Sequence, residues 1–204
     1  MARFWRAIML AALGRFEEAH VEILRAWYLD PLSLVIQTNV GFVLFEARRY
    51  EEAVERCLKV LEMDPGFALA NFHLGRTYLA MGKYRDAVAV LEKAASGFPG
   101  AMGFLGAAWA EMGRRDKAVE ILQDLERLRA KQYVGPVAFA LVRLALGEID
   151  AALDSLEEAF DTHEGAAAVL GVEPCMDRLR SNRRFNELLR RLNLPSLQGG
   201  CVSP

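Results

Sequence analysis

The chain has 204 residues, 53% hydrophobic and 25% charged, with a formal charge of −2. That balance excludes a disordered chain and gives the whole molecule no electrostatic case for nucleic acid or an anionic membrane. Cys57, Cys175 and Cys201 are far apart, no C-x-x-C occurs, and His20, His73 and His163 do not cluster with them. A metal centre, a disulfide framework and a bound cofactor are therefore not expected, and the cysteine usage fits a reducing cytoplasm.

Alanine and leucine dominate, while glycine and proline punctuate at intervals, a pattern that predicts an all-α chain. A first unit, residues 1–33, carries Gly14, Phe16, Ala19, Ile23, Ala26 and the pair Asp30-Pro31. Arg3 and Arg6 before a short apolar run imitate a signal peptide, but no A-x-A site follows, and the repeat phase accounts for the run. Its first helix exposes Phe4, Trp5 and Ile8, which no earlier unit covers. Chain upstream of Met1, or self-association through this end (dissolved by Trp5→Glu), is the expected consequence.

The second unit, 34–67, places Val40, Gly41, Leu44, Tyr50, Ala53, Cys57, Val60 and Asp64-Pro65 at the same offsets. The third, 68–101, contains Leu74, Gly75, Tyr78, Ala87, Leu91, Ala94 and Pro99. Ala19, Ala53 and Ala87 recur every 34 residues, as do Pro31, Pro65 and Pro99. Small residues such as Gly41, Gly75 and Ala87 let helix backbones cross closely, and Tyr78 and Leu91 fill the space beside them.

The fourth unit, 102–132, is shortened, because Ala118 follows Ala87 by 31 residues. Its first helix holds Gly103 and Gly106, each costing roughly 1 kcal/mol relative to alanine. It is expected to be the softest in the array and to mark a change of pitch. A long second helix follows, from about Arg115 to Lys131. The fifth unit, 133–163, restores the register with Ala152, and Pro136 opens its first helical turn. Residues 164–194 then form a capping segment in which Phe185, Leu188, Leu189 and Leu192 share one face. A flexible tail is expected over 195–204.

Leu74-Gly75-x2-Tyr78, then Ala87-x3-Leu91, then Pro99, resembles the tetratricopeptide repeat (TPR), a 34-residue helix pair. The ending, from Gly171-Val-Glu-Pro174 through Asp177-Arg-Leu179-Arg180 to Phe185-Asn-Glu-Leu188-Leu189, resembles the TPR modules that close bacterial winged-helix regulators and adenylate cyclases. The resemblance implies a right-handed superhelical solenoid of five antiparallel helix pairs with a C-terminal cap. It also implies a protein-protein interaction scaffold without catalysis. The first helix of each pair would line the concave face.

Phased on the repeats, Phe4, Ile8, Val35, Asn39, Phe42, Phe45, Leu69, Phe72, His73, Arg76, Leu79 and Leu141 would form that wall. It is apolar enough for an amphipathic helix or peptide. Two readings stand side by side: a groove open to a partner, in which Phe42→Glu with Phe72→Glu abolishes capture and leaves the helices intact, or a groove filled by the chain's own ends. A regulatory module of a longer signalling protein is the alternative function. The family's clamp for acidic chaperone tails is disfavoured, since only Asn39 and Arg76 match it. The C-terminal arginines read as the solvated face of the cap. No phosphate loop, nucleophile elbow or H-E-x-x-H occurs, so no enzyme is expected.

Overall fold

The computed structural model describes residues 1–195; the residues beyond, with Cys201 and most of the tail expected to be flexible, lie outside the described part. Among the described residues there are eleven α-helices and no strand. They form consecutive antiparallel pairs: α1 (Ala2–Ala12) with α2 (Phe16–Leu29), α3 (Leu34–Glu46) with α4 (Tyr50–Met63), and α5 (Ala68–Ala80) with α6 (Tyr84–Ala95). Then come α7 (Ala101–Glu111) with α8 (Arg115–Arg129), and α9 (Pro136–Ala145) with α10 (Ile149–Asp161). Two 3₁₀ segments follow, Gly165–Val169 and Pro174–Leu179, before α11 (Arg183–Arg191) closes against α10.

Each pair turns through one tight loop. The amide N–H groups of Arg15, Arg49, Lys83, Arg114 and Glu148 each donate at 2.9 Å to a carbonyl five residues back, which satisfies a helix C-terminus. That bond requires a left-handed residue just before the donor. The position is filled by Gly14, Gly82, Gly113 and Gly147, and in the second pair by Arg48 at φ 63°.

Within the pairs, Ala19, Ala53, Ala87, Ala118 and Ala152 are fully buried. A Cβ on Gly41 would lie 3.1 Å from Cys57 Sγ, and one on Gly75 would strike the Leu91 side chain. These contacts leave no room for larger groups at the crossings.

The fourth pair departs from the others. Its inner helix α7 presses directly on α9: a Cβ on Gly103 would lie 2.7 Å from Ala138 Cα, and one on Gly106 would meet Val142 and Ile121. The helix expected to be soft is thus buried at its core, with Ala101, Gly103, Phe104, Leu105, Gly106, Ala107 and Ala108 all covered. Its glycines permit close approach of two backbones, and the propensity they forfeit is exchanged for packing.

Inner and outer helices differ sharply in burial. Ten of the thirteen residues of α3 and nine of the thirteen of α5 are buried, against three of the fourteen in α4. An outer helix hides one stripe; α3 and α5 are covered all round. Something therefore lies on the concave face. It is the chain itself.

Candidate functional site: the concave groove and the segment inside it

After α10 the chain does not simply extend the stack. The 3₁₀ segment Gly165–Val169 reaches α1, where Val169 packs on the cluster containing Phe4, Ala7 and Phe42. Leu170, Met176 and Leu179 then join the buried cluster containing Phe72, Leu79, Phe104 and Leu141. A solenoid end and its own C-terminal segment meet across the hollow.

Arg76 stands at the centre. It is 4% exposed and projects from α5. Its Nη2 donates to Glu46 Oε1 of α3 at 3.0 Å and to Glu173 Oε2 of the inserted segment. The guanidinium lies 4.5 Å from the Phe45 ring centroid and within 5.2–5.7 Å of Phe104, Phe72 and Phe42. The cation is thus held by two carboxylates and a box of aromatic faces, in surroundings of low polarity where such contacts are strong.

The site is not fully matched. Two carboxylates face one guanidinium, and Glu46 Oε2 and Arg76 Nε have no hydrogen-bond partner among the described residues. Burial pushes the Glu46 carboxyl up, to about 8; Arg76 opposes this, and the neighbouring Glu173 adds to it. Burial likewise drives His73 well below its ordinary value, aided by Arg76 beside its Nδ1 at 3.4 Å, so the ring is neutral at pH 7.

A second arginine holds the other end of the segment. Arg48 Nη2 donates to the Val172 carbonyl at 3.2 Å and to Asp177 Oδ1 at 2.9 Å, and its Nη1 donates to Tyr50 Oη at 3.0 Å. The segment braces itself through Arg180, which donates to the Gly171 carbonyl at 2.6 Å. Glu173 Oε1 accepts from the Cys175 amide at 3.2 Å, capping the second 3₁₀ turn.

Beside the segment a cleft of about 280 Å³ stays open. Its walls include Leu79, Ala107, Leu141 and Leu144 from the inner helices, with Tyr84 and Tyr50 beside them and Pro174 and Cys175 of the segment as the roof. Glu111 and Arg178 pair across its rim at 2.5 Å.

Most of the residues expected to form the wall are covered rather than bare. Phe42, Phe45, Phe72, His73, Arg76, Leu79 and Leu141 are buried, whereas Leu69 and Ile8 are half-buried and Val35 is exposed. Asn39 donates to the Val35 carbonyl at 2.8 Å. Phe4, expected on the uncovered end, is buried; Trp5 and Met9 are what that end exposes. Since Phe42 and Phe72 surround Arg76, glutamates there would unfold the array before they could report on a ligand.

Models of the tetratricopeptide repeat match residues 1–25, 44–96 and 73–133. The chain belongs to the tetratricopeptide repeat family. Among curated proteins, the Hsp70-Hsp90 organizing protein of Triticum aestivum is 34% identical over 80 residues, 39% of this chain and 14% of that protein. The TPR repeat-containing thioredoxin TTL4 of Arabidopsis thaliana is 34% identical over 74 residues, 36% of this chain and 11% of that protein. The chain thus spans between 11% and 14% of the length of these relatives. A thermophilic TPR protein of Thermus thermophilus has a TM-score of 0.65 at 19% identity, with 93% of this chain and 98% of that one covered. A tetratricopeptide repeat protein from Parabacteroides merdae gives 0.52 at 12% identity, covering 94% and 78%. Both are likenesses of fold.

Within this TPR array, three residues that sequence reasoning passed over carry the groove chemistry: Arg48, Glu46 and Glu173. Arg48 had a readable signal, since it sits midway between Gly14 and Gly82 in a 34-residue column that asks for glycine. Glu46 and Glu173 had none, because each is an ordinary helix-edge acid until the fold brings them to Arg76. The C-terminal arginines are mostly paired: Arg184 with Asp154 and Glu157 of α10, and Arg191 stacked 4.1 Å over Phe160. Among the described residues no cluster of His, Cys, Asp and Glu could hold a metal ion, and no helix is long and apolar enough to cross a membrane.

The buried TPR ion cluster predicts a pH-dependent stability for this protein. Glu46, with Arg76, Glu173 and Arg48 as the charged groups about it, has a folded-state value above the unfolded one. Its contribution is fully present below the unfolded value, near 4.5, and is lost as pH rises through about 8. Thermal melts at increasing pH across that window should show a falling midpoint, and Glu46→Gln should flatten the dependence.

Proposed function

We propose that this TPR array is a protein-interaction scaffold that takes a segment of a partner polypeptide on its concave face, at the cleft between the inner helices and the inserted C-terminal segment. The observation that carries the reading is the cleft itself: apolar walls from Leu79, Leu141 and Leu144, with a polar rim from Arg48, Glu111, Asp177 and Arg178. Such a composition fixes a peptide by burial and orients it by charge. The family membership supports the same reading, as does the likeness to the Hsp70-Hsp90 organizing protein.

A photo-crosslinking residue placed at Tyr84, which lines the cleft, tests the site. One at Tyr133, exposed in the α8–α9 connection, serves as the comparison. In cells that express the protein, Tyr84 should yield a discrete crosslinked partner that Tyr133 does not. The same species from both positions, or none from Tyr84, would remove the concave face from the argument.

A further inference from the structure

The segment in the groove has the marks of a ligand rather than of a sixth repeat. It contributes no α-helix between Asp161 and Arg183, only two 3₁₀ turns. Its polar bonds to the array include three given by arginines of the groove, Arg76 to Glu173 and Arg48 to Asp177 and to the Val172 carbonyl, and one given by its own Arg178 to Glu111 of α7. Glu173 and Asp177 stand four residues apart with Pro174, Cys175 and the buried Met176 between them. An open cleft remains beneath, so the fit between segment and wall is incomplete.

Arg48 supplies an independent observation. The other four helix-pair turns place glycine at the left-handed position, and a side chain there is strained. His163 and Asn193 take the same left-handed position at the two later helix ends, and among the five helix-pair turns the non-glycine residue stands at the one whose side chain grips the inserted segment.

From these contacts we propose that residues 171–180 are a resident, displaceable ligand of the groove, and that the groove recognises a partner segment of the same chemistry. That chemistry is two carboxylates four residues apart enclosing a proline and an apolar side chain, the first taken by Arg76 and the second by Arg48. The partner enters by exchange, so the free protein is self-inhibited. Being tethered, the resident segment competes at a high effective concentration, and a free peptide gains access only when the resident copy is weakened. The proposal rests on the concave face being the partner surface: the partner first seats in the cleft beside the resident segment, and exchange then replaces that segment and its share of the cleft wall. The two can fail separately: the crosslink reports where a partner lies, and the exchange experiment reports whether the segment leaves.

The test uses the full chain and a fluorescent peptide of residues 169–182. The variant Glu173→Gln/Asp177→Asn weakens the resident segment while keeping its shape. By anisotropy it should bind the peptide at least about tenfold more tightly than the unaltered chain, the scale set by losing charged hydrogen bonds. A peptide carrying Glu173→Gln and Asp177→Asn should not bind, and adding Arg48→Gly to the protein should weaken the unaltered peptide. Equal binding of both peptides, or none to the variant with its helical circular dichroism intact, overturns the proposal. Should the variant unfold, hydrogen exchange of the unaltered chain decides: amides of 171–180 opening well before those of α5 support it, and opening together with α5 overturns it.

Discussion

Replacing Arg76 with alanine should destabilise the array by about 3–5 kcal/mol, the scale for removing one partner of a buried ion pair. The residue is hydrogen-bonded to both Glu46 and Glu173, and both are buried with it. Its loss leaves Glu46 and Glu173 without a cation at the meeting point of four phenylalanines. Glu46, already pushed toward its neutral form by burial, cannot replace the lost cation, and the space of the guanidinium would remain as a void. Because repeats are stabilised through their neighbours, the damage should spread to α3 and α7 on either side of α5. Urea melts followed by circular dichroism measure the cost. A loss below about 1 kcal/mol, the scale of an exposed pair, would mean that the cluster is not buried as described.

Gly103→Ala sets two effects against each other. Helix propensity alone predicts a gain of about 1 kcal/mol, since glycine is the poorer helix former. Packing predicts the reverse: the added methyl would lie 2.7 Å from Ala138 Cα and 2.8 Å from its carbonyl oxygen, which are backbone atoms. The overpacking cost of about 1–3 kcal/mol should win, giving a net loss. Gly106→Ala meets the Val142 and Ile121 side chains instead, which can rotate, so its loss should be smaller. A stabilised Gly103→Ala protein would contradict the close α7–α9 contact.

Those glycines illustrate what could and could not be read in the chain. Columns such as Ala19, Ala53 and Ala87 exposed the helix pairs because each pair is a local structure, set by contacts within about 34 residues. The shortened fourth unit was visible in the spacing of Ala87 and Ala118. Within their own helix, however, Gly103 and Gly106 read only as a cost, and their reason lies across the interface in Ala138 and Val142.

The groove shows the same division more strongly. Which residues face inward followed from phase, and Phe42, Phe72 and Leu141 are on inner helices. That they are covered did not follow, because the covering contacts join residues 97 positions apart in Arg76–Glu173 and 129 apart in Arg48–Asp177. No periodicity carries such pairings. Only the offence against the glycine column at Arg48 hinted that this turn had another duty.

The most direct check on the whole picture is a double-mutant cycle between Arg76→Ala and Glu173→Gln, read by urea unfolding. If Glu173 lies in the groove against the guanidinium, the two losses should fall short of additivity by more than about 0.5 kcal/mol and up to about 3 kcal/mol. Losses that add within about 0.5 kcal/mol, as for sites that never touch, would place the C-terminal segment elsewhere and leave the concave face open.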